Sequence, residues 1–332
     1  MTISTKSVGI IGTGSFLPEK VITNQDLEKI VETSNEWILK RTGISERRIL
    51  DEDLPSYSMG LEAAKRALED SKLEAEDIDL IIFATVTQDY MTPSSACIVQ
   101  GAIGAKNATA FDLNAACTGF IYAMVVAEQF IKNGMYKHAI VIGCEGLSKV
   151  TDWKDRNTCV LFGDGAGAVV LGEVDEGYGI LNSHLGSDGT GSMNITIPSL
   201  YITEAEKQKR LNEKYNSLWM DGSEVFKFAV KGMSSATLQV LNELNMTVDD
   251  LQHIFPHQAN TRIIDSAIKK LGVTDDKLQY IIQKYGNISS ASIPVALDEA
   301  NKEGKLKKGD NMVLVGFGGG LTWGSIAIKW FK

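Results

Sequence analysis

The sequence predicts an α/β protein in which one strand-and-helix unit occurs twice, packed as layers of helices against sheets. Continuous apolar runs, typical of buried parallel strands, alternate along the chain with helix patterns. The same order recurs in the second half, where helix patterns ending at Gly134 and Gly304 lie 304 − 134 = 170 residues apart. No low-complexity linker separates the halves, so we expect residues 1–173 and 174–332 to pack as one body.

Apolar runs in the first half predict strands at residues 7–12, 78–85, 109–113 and 139–143, and an antiparallel strand at 166–172. Helix patterns cover residues 24–31, 56–71, 94–101 and 117–131, and a short helix opens at 33–37 behind a Ser/Asn cap. In the second half, strands are predicted at 179–184, 250–257, 278–283, 311–316 and 325–331, and helices at 224–244, 260–271 and 293–303. Residues 203–216 are polar without an apolar period and predict a surface excursion.

Composition excludes several classes of function. The 332 residues are 44% hydrophobic and 23% charged, and the net charge of −9 argues against nucleic acid as the main partner. Neither the four cysteines nor the four histidines have the spacing of a zinc site, so no metal is predicted. With no signal-peptide pattern and no apolar run of about 18 residues, we expect a cytoplasmic protein with reduced thiols.

Cys117 is the candidate nucleophile. It lies among small residues where a strand pattern passes into the helix pattern that ends at Gly134. A thiol at a helix N-terminus meets unpaired N–H groups and the positive end of the helix dipole, which lower the thiol pKa and favour the thiolate. The alternative is a small buried hydrophobic residue, which suits the other three cysteines better.

His257 and Asn287 are the candidate partners of this thiol. His257 follows the second apolar strand and precedes a helix, where α/β proteins present reactive groups. Adding the 170-residue offset to Cys117 gives Asn287, and aligning Phe83 with Phe255 sets His257 opposite Thr85. Taken alone, His257 has the simpler interpretation of a structural histidine, and Asn287 that of a turn or helix-cap asparagine. Together they predict that duplication brings all three side chains to one centre.

A glycine-rich run, Gly316–Gly320, follows a buried strand. No Gly-Lys-Ser/Thr sequence follows it, and the next segment is predicted as strand, so a phosphate-binding loop is disfavoured. A tight turn that exposes backbone N–H groups beside a reactive centre is more typical of an oxyanion hole.

Seven stretches share the pattern of one enzyme family: residues 36–44, 112–120, 161–169, 220–230, 257–260, 286–292 and 316–325. Across nearly the whole chain they resemble β-ketoacyl-[acyl-carrier-protein] synthase III, a thiolase-fold condensing enzyme. The ordered set of Cys, His-Gln-Ala-Asn and Gly-Asn-x-Ser is highly specific for it. The resemblance implies a thiolase-like fold with duplicated α/β halves in an α-β-α-β-α core.

The resemblance also implies roles for individual residues. Cys117 accepts the acyl group of an acyl-CoA, while His257 and Asn287 assist decarboxylation of malonyl-[acyl-carrier-protein] and stabilise the enolate. Backbone N–H groups of Cys117 and Gly319 form the oxyanion hole. Coenzyme A is held by Trp37, Arg41, Arg156 and Asn260. No cofactor is expected, because acyl-CoA is a substrate.

Partners follow from the same resemblance. A basic set on two helices is expected to dock the acidic acyl carrier protein: Lys227, Arg262, Lys269 and Lys270. A solvated charged face is the alternative for that set. The loop with Thr92 is expected to reach across a homodimer into the partner's acyl pocket, and the small Thr92 side chain predicts tolerance of longer or branched primers.

The predicted activity is therefore the condensation that initiates fatty acid synthesis, giving 3-oxoacyl-[acyl-carrier-protein], CoA and CO2. Two alternatives stay open at this point. One is a specialised acyltransferase or condensing paralogue of secondary metabolism, and the other is a non-catalytic protein that binds acyl-CoA or the carrier protein. The complete Cys/His/Asn set favours condensation, because simple acyl transfer does not require the asparagine.

Overall fold

The computed structural model of the chain describes residues 6–198, 203 and 217–332, so the predicted excursion lies outside the described residues except for Thr203. In this part of the chain the strands are β1 (Val8–Phe16), β2 (Val21–Thr23), β3 (Glu46–Arg48), β4 (Leu80–Ala84), β5 (Thr109–Leu113), β6 (Ala139–Gly146), β7 (Asp164–Glu173), β8 (Gly179–Ser187), β9 (Ile195–Thr196), β10 (Trp219–Met220), β11 (His253–Pro256), β12 (Asn311–Gly318) and β13 (Thr322–Lys329). The α-helices there are α1 (Asn24–Leu27), α2 (Asn35–Thr42), α3 (Tyr57–Ser71), α4 (Ser95–Ile103), α5 (Gly119–Lys132), α6 (Arg156–Cys159), α7 (Gly222–Asn242), α8 (Thr261–Leu271), α9 (Ile282–Tyr285) and α10 (Ser292–Lys302).

Two main sheets repeat one topology. The first has the strand order β1-β7-β6-β4-β5 and the second β8-β13-β12-β11. In the first, β4 is parallel to β5 and β6, whereas β7 is antiparallel to β6 and β1. In the second, β12 is parallel to β11, and β13 is antiparallel to β12 and β8. A parallel bridge between Ile254 and Leu278 occupies the position next to β11 that β5 occupies next to β4 in the first sheet. The predicted duplication is confirmed.

The helices complete five layers. Helices α5 and α10 share one apolar core with strands of both sheets, through residues such as Phe120, Val295 and Leu314. Helices α3 and α4 pack on the other face of the first sheet, and α7 and α8 on the other face of the second. This α-β-α-β-α order is the predicted thiolase-like architecture. The boundary between residues 173 and 174 stays a prediction.

The predicted strand at 278–283 is wrong. Only Leu278 pairs with a strand, and the chain then turns into the short helix α9. The apolar residues of this segment are buried beside the sheet instead of within it, since Ile282 packs with Ile38 and Leu161. An apolar run of this length does not distinguish a buried strand from a buried helical turn.

The turns before α5 and α10 have one geometry. Each is a 3₁₀ turn, Ala116–Thr118 and Ser289–Ala291, whose first residue has positive φ, 47° and 48°. The Oδ1 atom of Asn114 accepts a hydrogen bond from Ala116 N (3.4 Å), as Asn287 Oδ1 does from Ser289 N (2.9 Å).

The structural offset between the halves at these turns is thus 289 − 116 = 173 residues. Asn287 corresponds to Asn114, and Cys117 corresponds to Ser290, so the predicted match of Cys117 with Asn287 is wrong. The reason is length: α5 has 14 residues and α10 has 11, so alignment from the helix ends slips by about one turn at the helix starts.

Candidate active site

Cys117, His257 and Asn287 line a single cavity of about 1510 Å³. They come from three separate elements: the 3₁₀ turn before α5, the end of β11, and the turn before α10. The ends of β4, β11 and β12 meet here because the two sheets share the central helix layer. The structure therefore brings together the three side chains that the sequence singled out.

Cys117 lines the cavity and is half-buried as a residue. Desolvation by the surrounding protein raises the thiol pKa to about 12; a side-chain hydrogen bond with Ser289 lowers it, and the charge of Glu145 raises it. The expectation of a lowered pKa is wrong for this resting state. Burial penalises the thiolate more than the helix end stabilises it.

His257 is buried, and burial lowers its pKa to about 3, so the imidazole is neutral at physiological pH. Its backbone N–H donates to Val315 O (2.7 Å), which fixes the chain at the end of β11. Neither ring nitrogen has a hydrogen-bond partner among the described residues. The ring packs edge-on against Phe317, with centroids 5.2 Å apart. A neutral, unpaired imidazole at this position can donate a hydrogen bond to a group in the cavity.

Asn287 is held firmly by its backbone and by its side-chain oxygen. Its backbone N–H donates to Leu161 O (2.8 Å), and its carbonyl accepts from Gly163 N (3.1 Å). The bond from Ser289 N to Oδ1 occupies the acceptor end of the amide. The amide N–H₂ group is therefore the end available to a ligand.

The glycine-rich turn passes very close to the Cys117 turn. A Cβ at Gly318 would lie 2.8 Å from Cys117 N, and one at Gly319 would lie 3.3 Å from Ala116 Cβ. Only glycine allows the approach at 318 without displacing backbone. Gly319 lines the cavity beside the thiol.

Trp37 and Arg41 line the cavity, and Arg156 lies next to Trp37 without being among the lining residues. The Arg41 and Arg156 guanidinium carbons lie 5.3 Å and 5.0 Å from the Trp37 ring centre. Arg156 also donates to Glu32 O (3.0 Å). Asn260 lines the cavity while its side chain caps α8 by accepting from Arg262 N (2.9 Å). Such stacked planar groups suit an aromatic base.

The remaining predicted residues lie outside the cavity floor. Arg262 lines the cavity rim, and Lys269 and Lys270 are exposed in the last turn of α8. Lys227 is exposed on α7 and paired with Glu224 at 2.7 Å. Thr92 is exposed and is not among the residues that line the cavity of its own chain, although the nearby Gln88 and Asp89 are.

Sequence reasoning overlooked Glu145. This carboxyl is completely buried at the end of β6, next to the turns that carry Cys117 and Asn287. The signal was present as a single charged residue closing an otherwise apolar strand, Ala139–Gly146. Lys, Glu, Arg and Asp are almost never fully buried without partners, so a fully buried glutamate indicates a site with dedicated hydrogen-bond partners.

Within residues 6–198, 203 and 217–332, no group of His, Cys, Asp or Glu side chains is arranged to hold a metal ion. Across the same ranges, no helix has both the length and the apolar character needed to cross a membrane.

Comparisons with known proteins point in one direction. The family model described as 3-oxoacyl-[acyl-carrier-protein] synthase III matches residues 111–189, and its C-terminal counterpart matches 241–330. Beta-ketoacyl-[acyl-carrier-protein] synthase III of Clostridium acetobutylicum is 56% identical over 327 residues, covering 98% of this chain and 99% of that protein. The enzyme of the same name from Caldanaerobacter subterraneus subsp. tengcongensis is 54% identical over 326 residues, 98% of each chain.

A solved structure is similar over the same length. The crystal structure of 3-oxoacyl-[acyl-carrier-protein] synthase III from Aquifex aeolicus VF5 superposes with a TM-score of 0.91 at 45% identity, covering 97% of this chain and 100% of the other. Sequence and fold thus agree over nearly the whole chain.

Proposed function

Because the chain belongs to the 3-oxoacyl-[acyl-carrier-protein] synthase III family of condensing enzymes, we propose that it joins an acyl-CoA primer to malonyl-[acyl-carrier-protein] with loss of CO2. The product is 3-oxoacyl-[acyl-carrier-protein], which starts fatty acid synthesis in the cytoplasm. The observation that carries the proposal is the meeting of Cys117, His257 and Asn287 in one cavity.

In the first step, Cys117 attacks the thioester carbonyl of acyl-CoA and CoA leaves. The tetrahedral oxyanion is stabilised by backbone N–H groups, for which we assign Cys117 and Gly319. The tight passage of the glycine turn beside Cys117 supports this assignment, since it places backbone rather than side chains next to the sulfur.

In the second step, malonyl-[acyl-carrier-protein] loses CO2 and the resulting enolate attacks the acyl-Cys117 carbonyl. Negative charge develops on the malonyl thioester oxygen, and neutral donors stabilise it there. His257 can donate because its lowered pKa keeps it uncharged and its ring nitrogens are unpaired. The Asn287 amide supplies the second donor, with its oxygen already engaged by Ser289 N.

The direct test is a reconstitution with labelled acetyl-CoA and malonyl-[acyl-carrier-protein]. A condensing enzyme gives a covalently labelled protein with acetyl-CoA alone, then labelled 3-oxoacyl-[acyl-carrier-protein] and CO2 with both substrates. Absence of any covalent label would contradict the proposal and indicate a binding protein. Label without CO2 release would indicate an acyltransferase.

Trp37 is proposed to stack on the adenine of CoA, with Arg41, Arg156 and Asn260 completing that part of the site. We expect Trp37→Ala to raise KM for acetyl-CoA about 10-fold with little change in kcat, as loss of stacking weakens ground-state binding. Initial-rate kinetics measure this. Acetyl-N-acetylcysteamine, which lacks the adenine, is the control substrate and should show no effect; an equal KM increase for both substrates would remove Trp37 from the adenine site.

Arg262, Lys269, Lys270 and Lys227 are proposed to dock the acidic carrier protein. Replacing Lys269 and Lys270 by Glu should lower kcat/KM for malonyl-[acyl-carrier-protein] about 10-fold at low salt, because opposite charges steer the encounter. High salt should shrink the difference, since it screens exposed charges. A matched control changes Lys307 and Lys308, exposed near the start of β12 and far from Gly318, to Glu. Equal losses in both variants would contradict the docking surface.

Thr92 is proposed to complete the acyl pocket of the partner in a homodimer. Its exposure, together with that of Tyr90 and Met91, supports a covered position in such a dimer. Thr92→Phe should lower kcat/KM for branched or longer primers about 10-fold relative to acetyl-CoA, because the ring fills pocket volume. A primer panel measures this, and an unchanged chain-length preference would exclude Thr92 from the pocket.

A further inference from the structure

Glu145 has five hydrogen-bond donors around its carboxyl group and is completely buried. Oε2 accepts from Thr85 Oγ1 (3.2 Å), Val86 N (3.1 Å) and Thr87 Oγ1 (2.8 Å) at the end of β4. Oε1 accepts from Ser289 Oγ and Ser290 Oγ, both at 3.1 Å, in the turn after Asn287. The carboxyl therefore connects the two halves directly beneath the active site.

Among the described residues, the hydrogen-bond partners of this carboxyl are all neutral donors. Burial raises the pKa of Glu145 to about 7, against the lowering effect of its hydrogen bonds to Thr87, Val86, Ser290 and Ser289. Five donors favour the carboxylate, and desolvation favours the acid. A carboxyl held in this balance can gain and lose a proton near neutral pH.

Ser289 links this carboxyl to the nucleophile. Its hydroxyl donates to Glu145 Oε1, and Ser289 lines the same cavity as Cys117, whose thiol pKa it lowers. The order thiol, hydroxyl, carboxyl is the order required for a proton to leave the sulfur through one intervening group. Ser290, which occupies the position equivalent to Cys117 in the second half, donates to Glu145 and Ala84 O instead.

We propose that Glu145, acting through the Ser289 hydroxyl, accepts the thiol proton of Cys117 during acylation and returns it after condensation. The inference rests on the proposed function of Cys117 as nucleophile and adds the destination of its proton. Glu145 touches no substrate; it sets the protonation state of the sulfur through Ser289.

The proton balance closes over one turnover. In acylation, the S–H proton passes to Ser289 Oγ while the Ser289 proton passes to Glu145; sulfur bonds to the acyl carbon, and CoA leaves as a thiolate that takes a proton from water. In condensation, the enolate carbon bonds to the acyl carbon and the bond to Cys117 sulfur breaks. The freed Cys117 thiolate recovers its proton from Glu145 through Ser289.

His257 is the obvious competing acceptor, and its environment argues against it. Its pKa of about 3 makes imidazolium formation costly, whereas Glu145 lies near 7. A thiol whose pKa burial raises to about 12 requires the stronger of the two bases. Using Glu145 also leaves His257 neutral, as the second step requires.

Cysteine alkylation by iodoacetamide tests the relay without any substrate. The native rate at Cys117 should rise with pH and level off above about pH 7, where Glu145 is ionised. Glu145→Gln and Ser289→Ala should lower the rate at pH 7.5 about 100-fold and show no levelling near pH 7. The direction is diagnostic, because the charge of Glu145 by itself raises the thiol pKa, so a purely electrostatic effect would make Glu145→Gln react faster. Glu145→Asp should restore the levelling in part. The pKa values of the neighbouring Cys117 and Cys144 are raised and that of His257 is lowered, so none of these three groups titrates near pH 7.

Ser290→Ala is the matched control for Ser289→Ala. Each variant removes one hydroxyl donor to Glu145 Oε1, but of the two serines only Ser289 lines the cavity that holds Cys117. Alanine fits the positive φ of Ser289, since Ala116 has the same conformation in the equivalent turn. Ser290→Ala should keep the native pH profile within about threefold. The proposal is overturned if the two serine variants behave alike, or if Glu145→Gln keeps the native profile.

The outcomes also separate this inference from the proposed function. A native alkylation profile that depends on Glu145, together with no acylation by acyl-CoA, would uphold the relay and contradict the condensing activity. Normal acylation by acyl-CoA, together with an alkylation profile that Glu145→Gln leaves unchanged, would uphold the condensing activity and contradict the relay. If Glu145→Gln does not fold, the Ser289/Ser290 pair decides.

Discussion

Cys117→Ala should remove all covalent labelling by acetyl-CoA and lower condensation by at least about 10⁴-fold. The sulfur is the only atom at the cavity floor proposed to carry the acyl group, and alanine cannot form the thioester. Intact-protein mass spectrometry after incubation with acetyl-CoA measures the label, and product assay measures condensation.

Cys97→Ala is the control for this experiment. Cys97 is an exposed thiol in α4 that does not line the cavity, so its variant should label normally. Persistent acetyl label on Cys117→Ala, or loss of label on Cys97→Ala, would contradict the assignment of the nucleophile.

Asn287→Asp should leave acylation of Cys117 within about threefold of native and lower condensation about 10²- to 10³-fold. Aspartate keeps an oxygen to accept the hydrogen bond from Ser289 N, so the turn is preserved. It replaces the amide donor by a negative oxygen, which repels the developing enolate instead of stabilising it. Single-turnover experiments separate the steps: acyl transfer by mass, and CO2 release from the pre-acylated enzyme.

Asn287→Ala provides the comparison for the aspartate variant. It loses both the turn hydrogen bond and the amide donor. A loss of acylation that occurs in Asn287→Ala but not in Asn287→Asp would therefore measure the contribution of the turn hydrogen bond. Native condensation rates in Asn287→Asp would show that the amide donor has no part in the second step.

Cys117 and Glu145 show that the local sequence pattern around a side chain does not determine its pKa. A helix N-terminus is visible in sequence, and it is the feature from which the sequence predicts that Cys117 is reactive. Its effect on the pKa depends on how much protein surrounds the sulfur, and here burial outweighs the dipole. Glu145, the base that we propose for this thiol, lies on β6, 145 − 117 = 28 residues further along the chain.

Most of the fold was predictable because strands β4, β6 and β12 are buried almost throughout and nearly all their residues are apolar. The segment around Leu278 was not, since its apolar residues are buried in a helical turn. The duplication was visible as a recurring order of elements. The residue-by-residue match between the two halves was not visible, because α10 is one turn shorter than α5 and the match depends on which helix end is aligned.

The order of most elements, the repeat, and the choice of Cys117, His257 and Asn287 as candidate site residues came from the sequence alone, since hydrophobic periodicity and local motifs are properties of neighbouring residues. Only the tertiary structure decided which groups ionise, which atoms donate, and that Asn114 rather than Cys117 is the counterpart of Asn287. Those properties depend on desolvation and on hydrogen bonds between segments far apart in the chain, such as the bond from Ser289 to Glu145.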